Sequence, residues 1–404
     1  MLASLTAGAC GAVLPAASLR IGAMFPLEGS ARTLAADEFR GAAVAAGLIN
    51  AAGGVAGKQV VFDVRDVESA SQTQSAAASL EHDGVPVVVG TYSSALSIPA
   101  ATAVAAHGMV YWETGAVADQ LTGMGLPLVF RVGADGADLG ANSAQFVAEQ
   151  VASRLQMEAN ALRVFLVTAN DAYAHSVADA ARAGLGAQGS QIVGESVYDP
   201  YAPQWSPVLA AIESAQPDVI VLSSHIPDGI AFRRAFVAAH LHVKAFIGST
   251  MAQCLPDFGD ALGPDAVGVF ASDRPPHGFN ARALQGAARA LYGQFAAKWQ
   301  KETGRQPSEE GISGFTATWV LLHDVMQHAA PLTPHGIASS ARALDLPTGA
   351  LPNGGGVRFS TSPGRLGQNL RAAAVIWQWQ GVRQHAVVWP AVYATASVKF
   401  VPLP

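Results

Sequence analysis

The sequence predicts an α/β protein of two lobes, each a mostly parallel sheet flanked by helices. Short runs rich in β-branched residues alternate with longer helical patterns along the chain, as in repeated strand–helix units. The strands are almost continuously apolar, which is typical of parallel strands covered by helices on both faces. At 404 residues the chain also exceeds the size of one comfortable core, so about two domains are expected.

Composition narrows the classes of function. Half of the residues are hydrophobic and 13% are charged, which favours a folded globular protein over a disordered one. The 24 basic and 30 acidic residues give a formal net charge of −6 and form no long run of one sign. This balance argues against a nucleic-acid partner. After the first two dozen residues, no apolar stretch reaches the roughly 20 residues that a membrane-spanning helix needs.

The predicted elements follow each other in a regular order. The first unit is a strand at 19–24, a loop at 25–30 and an Ala-rich helix that ends in a glycine-rich turn at 50–57. Further strands are predicted at 60–64, 85–89, 109–112, 164–168, 192–197, 219–222 and 245–247. Helices are predicted near 70–80, 94–106, 138–154, 173–185, 207–215 and 228–239. Two C-terminal runs, 372–380 and 384–390, alternate as in an antiparallel hairpin.

Three crossings between the lobes are predicted, at 130–133, 269–273 and 359–363. They make both domains discontinuous. The first lobe then comprises residues 19–133 plus 274–357, and the second comprises residues 134–273 plus 358–404. The helical block at 280–344 is a candidate surface for self-association, although no feature of its sequence marks it as an interface.

Residues 1–18 resemble the remnant of an export leader. The segment AAS at 16–18 resembles a signal-peptidase site, and AGAC at 7–10 resembles a weak lipoprotein box, although no basic residue precedes them. The favoured prediction is a periplasmic or cell-surface protein, with a lipid on Cys10 as one form of anchoring. Cys254 is the only other cysteine, so no internal disulfide is expected.

A polar site is predicted where the strand at 85–89 ends. Ser93 and Ser94 follow this strand and begin a helix, so their hydroxyls and the free backbone N–H groups of that terminus suit an anion or a carbonyl oxygen. In an arbitrary protein, a helix N-cap alone is the commoner explanation of such serines. Tyr92, just before them, is predicted to form an aromatic wall of the site.

Other polar groups follow neighbouring strands and are predicted to reach the same edge. The strand at 109–112 is followed by a carboxylate, Glu113, and by Gly115 and Ala116, whose small size lets a ligand approach the backbone. The side chains of Ser224 and His225 follow the strand at 219–222. We expect both to face the cleft, with His225 as a hydrogen-bond donor, although a hydrogen-bonded loop histidine explains it equally well.

Seven motifs in a fixed order carry a family resemblance: NAAGGVAG at 50–57, GTYSS at 90–94, GAVADQLT at 115–122, YD at 198–199, QWS at 204–206, PDV at 217–219 and WQWQ at 377–380. Together they resemble the type I periplasmic binding proteins, in the leucine/isoleucine/valine-binding and amide-binding branch of ABC-transporter solute receptors. The resemblance spans about 19–395. It implies the type I periplasmic-binding-protein fold and a small-molecule ligand held between two lobes and presented to an ABC permease in the membrane, with no cofactor and no catalysis.

The resemblance also implies roles for individual residues. Ser94 matches the serine that receives the ligand carboxylate, and Gly115 and Ala116 match backbone contacts to the ligand's polar head. Tyr173, at a strand-to-helix junction, matches a ligand-facing aromatic residue. Thr250 stands where amino-acid receptors carry the acid that pairs with the ligand ammonium, and a desolvated ammonium without a counter-charge is strongly penalised.

Two ligand classes therefore remain open. One is an amino acid that is held by a relocated acid, for which Glu28, Glu113 and Asp228 are candidates. The other is a small carboxylate, an aromatic acid or an amide, for which the Thr250 hydroxyl is a suitable partner.

Enzyme motifs are absent from the sequence. His323 and His328 are five residues apart, so they do not lie on the same face of a helix. In a zinc-binding helix, the two histidines are four residues apart and share one face. Neither a Walker A sequence nor a Gly-x-Ser-x-Gly elbow occurs, so no metal, cofactor or catalytic residue is predicted. The main alternative is a cytoplasmic amide-type ligand sensor with the same fold and cleft, which would lack a cleavable leader.

Overall fold

The computed structural model describes residues 18–250, 253 and 255–404. A first sheet of five parallel strands has the order β2-β1-β3-β4-β5. Its strands are β1 (Ser18–Phe25), β2 (Gln59–Asp66), β3 (Val87–Gly90), β4 (Val110–Glu113) and β5 (Val129–Arg131). The connecting helices are α1 (Arg32–Ala51), α2 (Ala70–His82), α3 (Ser94–Ala106) and the short α4 (Gln120–Gly123).

A second sheet of seven strands has the order β14-β13-β10-β9-β8-β6-β7. Its parallel strands are β6 (Arg163–Ala169), β7 (Gln191–Tyr198), β8 (Val219–Ser223), β9 (Ala245–Ser249) and β10 (Phe270–Asp273). Two antiparallel strands, β13 (Val375–Gly381) and β14 (Gln384–Trp389), complete one edge. The helices are α5 (Gly136–Phe146), α6 (Ala152–Leu155), α7 (Ala172–Ala187), α8 (Trp205–Ala215), α9 (Ile226–Ala238) and α10 (Pro256–Leu262).

The chain returns to the first sheet after β10 and leaves it again before β13. Between these strands lie α11 (Gly286–Thr303), α12 (Glu309–Trp319), α13 (Pro334–Ala343) and the small pair β11 (Asp345–Leu346) and β12 (Val357–Arg358). Apolar residues of the α12–α13 region share a core with the first sheet. With the passage after β5, the chain crosses between the two sheets three times, as predicted.

The sequence predicted the strands well because both sheets bury apolar runs on both faces. All four residues of β3 and of β4 are buried, and so are all residues of β8 and β9. The C-terminal hairpin is confirmed as antiparallel. The predicted helix at 138–154 forms as α5 and α6, joined by one π-helical segment at Val147–Val151.

Two glycines let neighbouring backbone segments pack very closely, which fixes the positions of the end of β3 and of α12. A side chain on Gly90, whose φ is +142°, would overlap the carbonyl oxygen of Met24 on the neighbouring strand. A side chain on Gly314 of α12 would overlap the carbonyl oxygen of Glu38 on α1. Glycine at these positions lets β3 end tightly against β1 and lets α12 lie directly on α1.

Several predictions concern residues outside the described part of the chain. The leader at 1–18 lies there except for Ser18, which is the first residue of β1 and so belongs to the folded lobe. Cys10 and Cys254 also lie outside it. Among the described residues, no helix combines the length and apolar character required to cross a membrane. The residue bounds of the two lobes remain a prediction.

Candidate functional site

The carboxyl ends of strands from both sheets face one cavity of about 300 Å³. This is the edge where an open parallel sheet presents its ligand-binding loops. The lining residues come from the loops after β3, β4 and β6 to β10 and from the first turn of α12. They are Tyr92, Ser93, Ser94, Ala95, Gly115, Ala116, Val117, Asp171, Ala172, Tyr173, Pro200, Tyr201, His225, Pro227, Asp228, Thr250, Arg274, Glu309 and Glu310.

Ser94 begins α3 at the wall formed by the first sheet. Its hydroxyl oxygen accepts the backbone N–H groups of Val117 and Ala118 at 3.3 and 3.1 Å. Because both acceptor positions are used, the hydroxyl hydrogen remains available to donate to another group. Ser93 and Tyr92 lie beside it, and the first N–H groups of α3 have no acceptor inside the helix. This corner of the cavity therefore presents donors to a ligand oxygen.

Gly115 and Ala116 line the cavity, whereas Glu113 does not. The Glu113 carboxylate is fully buried and accepts the N–H groups of Thr114, Gly115 and Ala116 at 2.9, 2.7 and 2.6 Å. The prediction that the Glu113 side chain faces the ligand is therefore corrected, because this side chain does not line the cavity. Three buried N–H groups donate to this carboxylate. The carboxylate therefore stabilises the loop that carries the lining residues and is not available to a ligand.

Gly115 is also needed because a buried acid lies behind it. A side chain at Gly115 would overlap the carboxylate of Glu38, which reaches this loop from α1 and accepts the hydroxyl of Thr114. Burial and the nearby Glu113 carboxylate raise the pKa of Glu38 to about 8. The wall behind the loop thus contains two buried carboxyl groups that are shielded from the cavity lining.

Tyr173 and Thr250 meet on the wall formed by the second sheet. The Tyr173 hydroxyl lies 3.1 Å from the carbonyl oxygen of Ser249 and accepts the Thr250 hydroxyl at 3.0 Å. Ser224, predicted to line the cleft, is fully buried and absent from the cavity wall. Its hydroxyl oxygen accepts Nε2 of Gln253 at 3.0 Å, so its role here is to support the loop after β8.

His225 lies between two carboxylates on the same wall. Its Nε2 is 3.1 Å from Asp171, and its Nδ1 is 3.6 Å from Asp228. Burial opposes protonation of the ring, but the hydrogen bonds to the two carboxylates outweigh it and raise the pKa of His225 to about 9. Burial likewise opposes ionisation of Asp171, yet the His225 hydrogen bond leaves its pKa below the ordinary value. His225 is therefore a cation that neutralises its acidic neighbours.

A second charged group lies where the chain leaves β10. Arg274 Nη1 donates to the carbonyl oxygen of Gly115 at 2.7 Å, and Nη2 donates to Glu309 at 2.8 Å. Burial opposes its charge, but the carboxylates of Glu309 and Asp273 raise the pKa of Arg274 above its ordinary value. Arg274 thus connects the end of the second sheet to the ligand-facing loop of the first sheet and to α12.

Glu310 is the next residue of α12 and lines the same cavity. Its side chain is 4% exposed, and its Oε2 atom has no hydrogen-bond partner among the described residues. Burial, followed by the neighbouring Glu309 carboxylate, raises the pKa of Glu310 well above its ordinary value.

A family model described as periplasmic binding protein matches residues 18–378 of this chain. The chain belongs to this family. One periplasmic binding protein relative, Leu/Ile/Val-binding protein homolog 8 of Brucella abortus (strain 2308), is 28% identical over 387 residues, which cover 95% of this chain and 93% of the relative. The predicted family is confirmed.

Solved structures confirm the type I periplasmic-binding-protein fold. The substrate-binding protein LivJ of Streptococcus pneumoniae, solved with isoleucine, matches with a TM-score of 0.73 and 19% identity over 92% of this chain and 100% of its own. A solute-binding protein of an ABC transporter from Rhodopseudomonas palustris BisB5, solved with 3,4-dihydroxy benzoic acid, matches with a TM-score of 0.69 and 17% identity over 89% of this chain and 93% of its own.

No pattern in the sequence of this periplasmic binding protein marks three of the charged residues in the cavity lining: Arg274, Glu309 and Glu310. The run Ser308-Glu309-Glu310 carries a helix-start signal, since Ser308 caps α12 by accepting the N–H of Gly311 at 3.1 Å. That signal locates the start of a helix but gives no indication that this start lies at the cavity, next to a loop that is far away in the sequence.

Two other residues of the first lobe lie away from the cavity. Trp112 of β4 is fully buried in the first core and donates to the carbonyl oxygen of Ala317 at 2.8 Å. Glu28 is exposed, with Asp66 and Glu68 nearby, and does not line the cavity. Among the described residues this acidic trio is the group with metal-ligand spacing, but exposed acidic groups are common without a metal.

Proposed function

We propose that the protein is an extracytoplasmic receptor that captures a small organic carboxylate in the cavity between its two sheets. The observation that carries the proposal is the donor set at the start of α3. Ser94 accepts two backbone N–H groups and so has its hydroxyl hydrogen free for a ligand oxygen. A carboxylate gains charge-assisted hydrogen bonds there and the favourable end of the helix dipole.

The ligands of similar proteins support this choice of chemistry. Isoleucine and 3,4-dihydroxy benzoic acid, found in two structures of the same fold, differ in shape and charge but share a carboxylate. Relatives with higher identity bear the name Leu/Ile/Val-binding protein homolog. A carboxylate is the group that these two ligands have in common, and we expect Ser94, Ser93, Gly115 and Ala116 to hold it in this chain.

We further propose that the ligand is enclosed by closure of the lobes 19–133 plus 274–357 and 134–273 plus 358–404. Tyr173, His225 and Thr250 would then reach a ligand already bound at Ser94. A ligand that contacts both walls has a higher affinity for the closed form and therefore shifts the population toward it. The closed complex would deliver its ligand to an ABC permease from the periplasm or the cell surface.

The test combines a binding screen with a measurement of shape. Purified protein is screened by thermal shift against the aliphatic amino acids, aromatic acids, short amides and urea, because a ligand that binds only the native state raises the melting temperature. Small-angle scattering is then recorded with and without the most stabilising compound. Stabilisation by carboxylates together with a smaller radius of gyration supports the proposal. Stabilisation by amides alone, or an unchanged radius of gyration, contradicts it.

A further inference from the structure

Glu310 differs from the other acids in the cavity wall because one of its carboxyl oxygens, Oε2, has no hydrogen-bond partner among the described residues. Asp171 accepts the N–H of Ala174 at 2.9 Å and lies 3.1 Å from His225. Asp228 accepts the hydroxyl of Tyr198 at 2.5 Å. Each of these carboxylates is satisfied by the protein itself, so neither requires a ligand.

Glu309 is satisfied as well. Arg274 Nε lies 2.7 Å from its Oε1 atom, and the hydroxyl of Ser313 donates to the same oxygen at 2.8 Å. The Oε2 atom of Glu310 is buried, and no donor reaches it among the described residues. A buried polar atom without a partner is costly, and the cost is larger for a charge. Because Glu310 lines the cavity, the missing donor can come from a ligand.

The sum of charges on the wall leads to the same conclusion. Four carboxyl groups line the cavity, those of Asp171, Asp228, Glu309 and Glu310, whereas the only cations among the described lining residues are His225 and Arg274. Each cation lies within hydrogen-bond distance of a carboxylate, since His225 is next to Asp171 and Arg274 is next to Glu309. Two of the four carboxyl groups therefore have no matching cation among the described lining residues, so a further positive charge fits the cavity, and the Oε2 atom of Glu310 marks a place for it.

We propose that Glu310 receives the ammonium group of the ligand while the donors around Ser94 receive its carboxylate, so that the ligand class is a small amino acid. This inference rests on the proposed function and narrows it. It assigns to α12 the acid that Thr250 does not supply, and it removes Glu28 and Glu113 from that role. Both ends of the ligand head would then be held by the first sheet and its helices before the second sheet closes.

One consequence of the assignment is a release of protons on binding. Burial keeps the pKa of Glu310 raised in the free protein, and an ammonium group beside it lowers that pKa again. The charged groups around it are Glu309, Arg274 and Asp273, and Glu38 reaches the same region from α1. Among the described acids of this region, Glu310 is the one that lines the cavity with an unpartnered carboxyl oxygen, so the released proton is expected from it.

The experiment compares three probes of the same shape: L-leucine, 4-methylpentanoic acid without the amino group, and 2-hydroxy-4-methylpentanoic acid with a neutral donor in its place. Titration calorimetry in two buffers of different ionisation enthalpy gives the affinity and the protons released. The variants are Glu310→Gln, which removes the charge, Glu310→Asp, which retains it, and Glu28→Gln as a control with the same chemical change outside the cavity.

The wild type is expected to bind L-leucine at least tenfold more tightly than either analogue and to release protons in doing so. Glu310→Gln should lose about 10- to 100-fold in affinity for L-leucine, lose the proton release, and keep its affinity for 4-methylpentanoic acid. Glu310→Asp should recover part of the preference, and Glu28→Gln should match the wild type.

Three results would overturn the inference. The first is equal affinity of the wild type for leucine and for its deaminated analogue. The second is a Glu310→Gln variant that retains the preference for leucine. The third is a wild type that binds none of the three probes. In the first two cases the proposed carboxylate receptor still stands, whereas a protein that also binds no compound of the thermal-shift screen contradicts the proposed function itself.

Discussion

The replacement Ser94→Ala tests the carboxylate site most directly. It removes a hydroxyl from the cavity lining at the start of α3, and this hydroxyl also accepts the N–H groups of Val117 and Ala118. Loss of a charge-assisted hydrogen bond to a ligand carboxylate costs about 1.5–3 kcal/mol. The dissociation constant for L-leucine should therefore rise about 10- to 150-fold.

The same replacement affects the free protein, and the structure predicts by how much. Two backbone N–H groups in a buried loop lose their acceptor, which costs on the order of 1–3 kcal/mol in the free energy of unfolding. Ser143→Ala is a matched control, because Ser143 is also buried and its hydroxyl donates to the carbonyl oxygen of Leu139, away from the cavity lining. Urea denaturation of both variants separates the loss of stability from the loss of affinity.

The assay is titration calorimetry with L-leucine and with leucinamide, which keeps the ammonium group but has a neutral head. A neutral acceptor gains only about 0.5–1.5 kcal/mol from the same hydroxyl, so Ser94→Ala should weaken leucine binding more than leucinamide binding. Ser143→Ala should change neither affinity. An unchanged affinity of Ser94→Ala for leucine, or equal losses for the two ligands, would refute the role of Ser94 in holding a carboxylate.

Three further predictions follow from the same contacts. The carboxylate neighbours of His225 raise its pKa to about 9, so the stabilisation by protonated His225 is complete below pH 6.5 and is lost as the pH rises through 9. His225→Gln should therefore flatten the plot of unfolding free energy against pH, measured with urea, between pH 6.5 and 9. Glu113→Ala leaves three buried N–H groups without an acceptor and should lower the free energy of unfolding by about 1–3 kcal/mol or more. Glu113→Gln keeps an acceptor oxygen and should lower the free energy of unfolding less. Equal losses of stability would contradict the role of Glu113 in holding the loop. Gly314→Ala places a methyl group against the Glu38 carbonyl oxygen and should cost about 1–3 kcal/mol by pushing α12 from α1, and a variant as stable as the wild type in calorimetric melting would show that the helices have room to separate.

The positions of the strands could be predicted because the pattern that specifies them is local. Buried parallel strands need short apolar runs, and the runs at 85–89, 219–222 and 245–247 all form strands within two residues of the predicted ends. The place of several residues in the cavity lining could be predicted for the same reason, whereas their contacts to a ligand remain a prediction. Ser94, Gly115 and Tyr173 directly follow strands, and the carboxyl ends of parallel strands meet at one edge.

The two corrected residues show the limit of that reasoning. Glu113 and Ser224 also follow strands, yet neither lines the cavity. Backbone N–H groups of its own loop bind the Glu113 carboxylate, and Gln253, from the loop after β9, binds the Ser224 hydroxyl. A one-residue change along a strand end turns a side chain to the opposite side. Sequence position therefore selects the right edge of the sheet but does not decide whether a side chain there points to the ligand or into the loop.

The sequence by itself indicated the family, the two sheets and the three crossings, and it predicted the donors around Ser94, because each apolar run and each motif is a local pattern. Only the tertiary structure decided the electrostatics of the cavity. Arg274 and Glu309 come together at 2.7 Å across 35 residues, and Glu310 reaches a wall whose other acids already have partners. Whether a carboxyl group is satisfied depends on every group packed around it, and these groups are brought together only when the chain has folded.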